Sequence, residues 1–160
     1  MHLTKSEHLH IQNILRDIDK TKEVQSMKNF CQHGCVSTYD HCQNVTRVSF
    51  WLNKKFNLKA DEESLLKGAF LHDFYLYDWH HKNACQKLHG FSHAQTAADN
   101  AKKFFDLNEK ELNIISSHMW PLNITKLPKS REAFIVTIAD KLCSLHETLA
   151  QRNKAVSICN

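Results

Sequence analysis

The sequence predicts an all-α bundle of about seven helices. Gly and Pro are scarce, with 3 and 2 copies in 160 residues, which disfavours an all-β fold built on tight turns. Apolar residues recur three or four positions apart along most of the chain, which is the spacing of amphipathic helices. No segment indicates a strand. The length suits one domain, and we expect a single domain over residues 1–160 with its core at 37–149.

Two helices are predicted before the first Gly. The first covers about residues 6–19, and its apolar side is formed by Leu9, Ile11, Ile14, Leu15 and Ile18. The second covers about 22–31. The segment 32–34 ends it, because Gly34 suits a helix C-terminus.

The next two helices have clear N-terminal signals. Ser37 with Asp40 three residues later is typical of a helix start, and this helix is predicted to run to about residue 56. Its inner positions are His41, Val45, Val48, Leu52 and Phe56. Asp61 caps the following helix, whose inner positions are Leu65, Ala69 and His72.

Three more helices complete the prediction. Ser92 is expected to cap a helix that carries His93, Thr96, Ala97, Asn100 and Phe104. Asn108 with Glu111 opens the next one, which presents Leu112, Ile115 and His118. Ser130 begins the last helix, predicted to reach about residue 151. In this helix the acidic Asp140 lies among Phe134, Thr137, Ile138, Lys141, Leu142 and Leu145.

Composition limits the partners. The formal charge is +4, from 21 basic and 17 acidic residues, and no basic stripe with interleaved aromatic residues is present, so we expect no nucleic-acid partner. A mild positive balance suits an anionic substrate. The sequence has neither an apolar leader nor an apolar run of about 20 residues, so we expect no membrane association. The six Cys lack CxxC spacing, which is typical of reduced thiols in a cytoplasmic protein.

The 12 His are the unusual feature of the composition. Four of them fall among apolar helix positions, at residues 41, 72, 93 and 118, and Asp73 and Asp140 join them. For one such His alone, a hydrogen-bonded core or surface role is the better interpretation. For all six residues together, metal coordination offsets the cost of burial, which is several kcal/mol for an unpaired polar or charged group. Imidazole and carboxylate ligands without thiolate suit iron, manganese or zinc.

The order of these residues resembles the HD-domain superfamily of metal-dependent phosphohydrolases, whose signature is H…HD…D on a helical bundle. The signature falls on Tyr-Asp-His41-Cys, Leu-His72-Asp73-Phe and Ala-Asp140-Lys-Leu, and the resemblance covers about residues 37–149. His93 and His118 lie where two-metal members of the superfamily carry additional histidines.

The resemblance implies two divalent transition metal ions, with iron or manganese favoured and zinc, nickel, cobalt or magnesium as alternatives. The implied ligands of one ion are His41, His72, Asp73 and Asp140. Those of the second are His93 and His118, with Asp73 bridging the two ions. His89 competes with His93 for its position, and we prefer His93 because it is expected to begin a helix, whereas His89 is expected to lie on the preceding loop as a substrate-binding residue.

The resemblance also implies hydrolysis of a phosphate ester or anhydride by a metal-activated water. The expected substrate is small, anionic and phosphorylated, with nucleotides among the candidates. Asp73 is expected to orient the nucleophile, and Lys141 to bind a phosphate oxygen, although a solvated lysine is an equal interpretation. Trp79 and Trp120, with Tyr75 and Tyr77, either stack on the substrate or cap the core. For Phe74 and Leu76 the core is the preferred interpretation.

Two alternative functions stay open. The same order of ligands resembles the di-iron oxygenases of this fold, such as myo-inositol oxygenase, and a non-catalytic binding module is the other alternative. The sequence departs from the HD-GYP branch, since it has neither the Lys that follows HD there nor a GYP triplet after His118, so a cyclic-dinucleotide substrate is disfavoured. A homodimer is left open.

Overall fold

A computed structural model describes residues 2–33, 36–78 and 89–158, with the side chains of residues 33, 89, 91 and 152–158 excepted. Within these ranges the fold consists of seven α-helices and one short hairpin, so the all-α prediction is confirmed. The helices are α1 (Lys5–Asp19), α2 (Lys22–Ser26), α3 (Thr38–Lys55), α4 (Glu62–Leu71), α5 (His89–Phe104), α6 (Glu109–Ser117) and α7 (Arg131–Ile158). A 3₁₀ turn at Met27–Asn29 follows α2.

The helix starts follow the capping residues of the sequence. The Ser37 hydroxyl accepts a hydrogen bond from the Asp40 amide at 3.1 Å, which confirms Ser37 as the cap of α3. Asn108 and Glu111 form a reciprocal capping box at the start of α6, as predicted. These bonds satisfy amides that lack a partner within the helix.

The predicted second helix is too long and the expectation of no strand is wrong, because a short hairpin follows α2 and its 3₁₀ turn. Strand β1 (Cys31–His33) pairs antiparallel with β2 (Val36–Ser37), in a register that sets Cys31 opposite Ser37. The Phe30 carbonyl, just before β1, accepts a hydrogen bond from the Thr38 amide at 2.8 Å. Tertiary contacts of this kind outweigh the local preference for helix. Helix α2 therefore ends at Ser26, and only the 3₁₀ turn follows it.

Two other predicted helix bounds are wrong. Helix α5 begins at His89, so Ser92 lies inside it and His93 is one turn into the helix. Helix α7 continues to Ile158, seven residues beyond its predicted end.

The inward faces are partly as predicted. Ile11, Leu15 and Ile18 of α1 are buried, as are His41 and Val45 of α3 and the predicted positions of α4. The predictions for Leu9 and Phe56 are wrong, because these side chains are exposed. They lie at the margins of the apolar stripes or at helix ends, where periodicity says least about the direction that a side chain takes.

Helix α7 turns a different face inward from the one that its large apolar residues suggest. Phe134, Ile138, Leu142 and Leu145 are 44–59% exposed. The buried apolar positions are Ala133, Ile135, Val136, Ala139 and Cys143. Because apolar residues occur on both faces, the spacing does not define the inner one. Asp140 lies on this inner face and is 8% exposed.

Helices α3, α4, α6 and α7 pack on one another in the centre of the bundle. Helix α3 packs on α4 and α7, and α6 packs on α4, α5 and α7. Two apolar clusters share these helices, one built around α1 and the other around α7. Among the described residues, no helix combines the length and apolar character needed to cross a bilayer.

Substitution of Gly68 tests how closely α4 and α6 approach each other. A Cβ at this position would lie 2.6 Å from Ile114 Cγ2 and 2.8 Å from Ile114 Cβ. We expect Gly68→Ala to lower the free energy of unfolding by about 1–3 kcal/mol, because the clash exceeds the roughly 0.5–1 kcal/mol that alanine contributes to a helix. Chemical denaturation of both proteins measures the difference.

The matched control is Gly90→Ala in α5. There the nearest atom to the new Cβ is Leu122 Cδ2 at 3.7 Å, an ordinary contact, so we expect no loss of stability. A Gly68→Ala protein as stable as the wild type would contradict the close approach of the two helices.

Candidate metal centre

The six residues predicted as ligands lie in one buried cluster. His41 comes from α3, His93 from α5 and Asp140 from α7, while His72 and His118 directly follow the last residues of α4 and α6. Asp73 is the next residue after His72. All six side chains belong to residues that are at most 8% exposed. The structure therefore brings together side chains separated by up to 99 positions in the chain, whereas their assignment as ligands stays a prediction.

Asp73 is the centre of this cluster. Its Oδ2 lies 3.4 Å from His72 Nε2 and 3.8 Å from His41 Nε2. Its Oδ1 lies 3.3 Å from His93 Nε2 and 3.5 Å from His118 Nε2. One carboxylate thus offers a different oxygen to each pair of imidazoles, which is the arrangement of a bridging ligand.

Asp140 completes the side of the cluster near α3. Its Oδ1 lies 3.2 Å from His41 Nε2 and 3.8 Å from His72 Nε2. Among the described residues, two groups of side chains have ligand atoms close enough for a shared ion, one with His41, His72 and Asp140, and one with His72, Asp73 and His118. The groups share His72, so the two candidate positions are adjacent.

His72 and His118 use the same local device to direct their rings. Nδ1 of His72 donates to the Ala69 carbonyl at 2.8 Å, and Nδ1 of His118 donates to the Ile115 carbonyl at 2.8 Å. Each carbonyl belongs to the last turn of a helix, where carbonyls lack an amide partner. The ring satisfies that carbonyl with Nδ1–H and presents Nε2 to the cluster.

The donor set fits a cation. His93 Nε2 and His118 Nε2 lie 2.9 Å apart, which is unfavourable for two lone pairs unless a proton or a cation is shared between them. Within the described part of the chain, His72 Nε2 and Asp73 Oδ1 are buried without a hydrogen-bond partner, and each such atom costs about 1–3 kcal/mol. Imidazole nitrogens and carboxylate oxygens are ligands of divalent transition metals.

The charges in the cluster also favour a cation. Burial alone would raise the pKa of Asp73, but the adjacent His72 and the nearby His93 and His118 outweigh it and lower that pKa well below its usual range. Burial opposes charge on His41 too, yet the hydrogen bonds to Asp140 and Glu147 raise its pKa to about 10. The carboxylates therefore stay ionised and draw positive charge toward the imidazoles.

His118 differs in its charge from His41 and His72, whose pKa values are raised by the neighbouring carboxylates. Burial lowers the pKa of His118 to about 3, so its imidazole is neutral and Nε2 carries a lone pair. This is the protonation state that coordination requires.

Sequence reasoning missed a hydrogen-bonded chain beside Asp73. Gln32 on β1 donates from Nε2 to Asp73 Oδ2 at 2.6 Å. The Gln32 Oε1 accepts from the Tyr75 hydroxyl, and the Thr38 hydroxyl lies 3.3 Å from it. With hydroxyl groups at Oε1, the amide must direct its NH₂ group toward the carboxylate. The proximity of Gln32 to Gly34 suggested only a helix stop, so no local signal marked this contact.

Two further residues were missed on the opposite side of His41. Glu147 Oε2 lies 2.9 Å from His41 Nδ1, and Asn44 Nδ2 donates to Glu147 Oε1 at 3.1 Å. The only sequence signal is the separation of seven residues between Asp140 and Glu147, which places both on one face of a helix.

Of the four residues predicted to bind substrate, the structure describes the side chains of Lys141 and Trp120. Lys141 extends along α7 so that its Nζ donates to the His118 carbonyl at 3.1 Å, and partial burial lowers its pKa. Trp120 packs edge-to-face on Phe134, with ring centres 5.9 Å apart. Trp79 and the side chain of His89 lie outside the described residues.

The aromatic segment after Asp73 is mainly structural. Phe74 is fully buried and Leu76 is packed against the same core cluster, which confirms the core interpretation. The Asn100 amide donates to the carbonyls of Phe74 and Tyr75 at 3.0 and 3.1 Å. These bonds hold the segment that follows Asp73 against α5, and the Tyr75 ring packs edge-on to His93.

Comparison with known proteins gives a family. A family model of the HD domain matches residues 38–145, about two thirds of the chain, and HD domains generally are metal-dependent phosphohydrolases that bind divalent metals. Neither the curated proteins nor the solved structures contain a match. The matched range contains all six clustered residues, and the chain belongs to the HD-domain family.

Proposed function

We propose that this protein is a metal-dependent phosphohydrolase that acts on a small, anionic, phosphorylated substrate, such as a nucleotide. The observation that carries the proposal is the Asp73 carboxylate, each oxygen of which faces the Nε2 atoms of two imidazoles at 3.3–3.8 Å. Membership of the HD-domain family supports hydrolysis as the chemistry of such a centre.

Two divalent transition metal ions, iron or manganese in the first instance, fit the two sides of Asp73. His41, His72 and Asp140 would hold one ion, and His93 with His118 the other, with Asp73 bridging. The chemistry that divalent cations supply in such a site is Lewis acidity toward phosphoryl oxygens, together with a nucleophile from water at neutral pH.

The protein itself supplies orientation and charge. Gln32 donates to Asp73 Oδ2, so the carboxylate is held while its other oxygen faces His93 and His118. An ionised Asp73 is suited to orient a nucleophilic water by accepting its hydrogen bond. The Tyr75 ring next to His93 shields this side of the centre from solvent.

Lys141 supports an anionic substrate. Its ammonium group is tethered to the carbonyl of His118, so a positive charge is held close to the centre while the residue remains exposed. Lysine binds phosphate oxygens as a point charge. This position fits a phosphate-binding role at the rim.

Asp73→Asn tests the proposal directly. We expect the variant to lose metal binding and phosphate release, because an amide cannot bridge two cations as a carboxylate does. Elemental analysis and a phosphatase screen over nucleotides and sugar phosphates, with Mn²⁺ or Fe²⁺ supplied, measure both. The matched control is Asp99→Asn on the exposed face of α5, which should retain wild-type values. Oxygen consumption by the iron-loaded wild type without phosphate release would contradict hydrolysis and favour the oxygenase alternative.

Lys141→Met is expected to raise KM for the phosphorylated substrate about tenfold or more while the bound metal is unchanged, since a charge-assisted contact contributes about 1.5–3 kcal/mol. Steady-state kinetics with the substrate found in the screen measure the effect. Lys102→Met, an exposed substitution on α5, is the control. An unchanged KM in Lys141→Met would assign this residue to the solvated surface.

Metal binding should also stabilise the fold. A ligand that binds only the folded protein at 100 times its Kd adds about 2.7 kcal/mol to the free energy of unfolding. We therefore expect Mn²⁺ to raise Tm of the wild type and a chelator to reverse the rise, as measured by differential scanning calorimetry. The absence of any Mn²⁺-dependent shift in a protein that unfolds cooperatively would contradict a cation site in the core.

A further inference from the structure

Glu147 lies beyond residue 145, the last residue matched by the family model, yet its carboxylate reaches the metal centre. Its Oε2 accepts a hydrogen bond from His41 Nδ1 at 2.9 Å, and Asn44 Nδ2 donates to its Oε1 at 3.1 Å. Glu147 is 6% exposed and His41 is fully buried. A buried carboxylate with both oxygens engaged is a built contact rather than a surface ion pair.

His41 needs a side-chain acceptor because of its place in α3. His72 and His118 follow the ends of their helices, so free carbonyls three residues earlier accept their Nδ1–H groups. His41 is the fourth residue of α3, where the neighbouring carbonyls accept the backbone amides of the helix. Its Nδ1–H therefore requires an acceptor from another element, and Glu147 of α7 supplies it.

Helix α7 contacts both nitrogens of the same imidazole. Asp140 and Glu147 are seven residues apart, which is about two helical turns, and so they lie on the same face. Asp140 Oδ1 is 3.2 Å from His41 Nε2, on the side of the cluster. Glu147 holds Nδ1 on the far side. The ring of His41 is thereby fixed in both position and orientation.

We infer that Glu147 is a positioning residue of the metal centre, which holds the Nδ1–H group of His41 so that Nε2, on the side of Asp73 and Asp140, is the nitrogen that would bind the ion. The inference rests on the proposed metal site. A carboxylate behind a ligating imidazole also raises the basicity of the ligand nitrogen, and loss of such a partner lowers metal affinity roughly 10–100-fold.

The test is the affinity of the full chain for Zn²⁺ alone, measured by competition with a chelating dye. We expect Glu147→Gln to bind Zn²⁺ about tenfold or more weakly than the wild type. The matched control is Glu132→Gln, since Glu132 is also buried on α7 but accepts from the Asp61 amide at 2.8 Å. Its affinity should equal that of the wild type. An unchanged affinity in Glu147→Gln would overturn the inference.

The His41→Ala background separates positioning from a general structural role. If Glu147 acts through His41, Glu147→Gln causes no further loss of Zn²⁺ affinity once the imidazole is absent. An equal loss in both backgrounds would overturn the positioning role. In the Zn²⁺-loaded wild type, proton NMR should show the His41 Nδ1–H signal far downfield, and the signal should move upfield in Glu147→Gln.

The outcomes distinguish this inference from the proposed function. A wild type that binds no Zn²⁺ refutes the metal site itself. A wild type that binds Zn²⁺ beside a Glu147→Gln variant of equal affinity refutes only the role of Glu147. If Glu147→Gln does not fold, Asn44→Ala leaves the carboxylate in place without its hydrogen bond at Oε1. A lower affinity in that variant then supports the inference, and an unchanged one overturns it.

Discussion

The buried carboxylate of Asp73, surrounded by four imidazoles, is the constraint on which the rest of the structure depends. Each oxygen of Asp73 faces two Nε2 atoms, and the whole group is removed from water. Such a cluster is stable only when positive charge balances the carboxylates and the lone pairs of the rings. A divalent cation would meet both demands at several rings at once, whereas a proton shared between His93 Nε2 and His118 Nε2, which lie 2.9 Å apart, relieves only that pair.

The helices deliver these groups with simple local devices. Two of the histidines stand just after helix ends, where the ring caps a free carbonyl and presents Nε2 to the centre. Small residues on the inner faces, such as Gly68, Ala97 and Ala139, allow the helices to pack closely. All six residues of the cluster therefore lie on a helix or within two residues of a helix end, which suits side chains that must be held within a few ångströms of one another.

The sequence predicts the bundle from local patterns, and it predicts the cluster from the order of its histidines and aspartates, which resembles that of the HD-domain superfamily. The capping residues Ser37 and Asn108 mark helix starts. The histidines and aspartates follow one another in the sequence because successive helices each contribute to the same cluster. The role of Gln32 could not be predicted, because it depends on a contact with Asp73, 41 residues away. The hairpin could not be predicted either, because strands of three and two residues are too short to show an alternating pattern. The inner face of α7 was also beyond prediction, since apolar residues lie on both of its sides.

Two residues outside the range matched by the family model, Gln32 and Glu147, form hydrogen bonds to residues of the HD signature. Gln32 precedes the residues matched by the HD-domain model and Glu147 follows them, yet each makes a buried hydrogen bond to a residue of the signature. One holds the central carboxylate and the other holds the first histidine. Residues on both sides of the matched range thus contribute to the geometry of the centre.

The most direct measurement is anomalous X-ray diffraction from crystals grown with Mn²⁺. The account predicts an anomalous peak on each side of Asp73, with Nε2 of the four histidines and oxygens of Asp73 and Asp140 within coordination distance, about 2.0–2.3 Å. Peaks confined to the protein surface, or an ordered cluster without anomalous signal at saturating Mn²⁺, would contradict it.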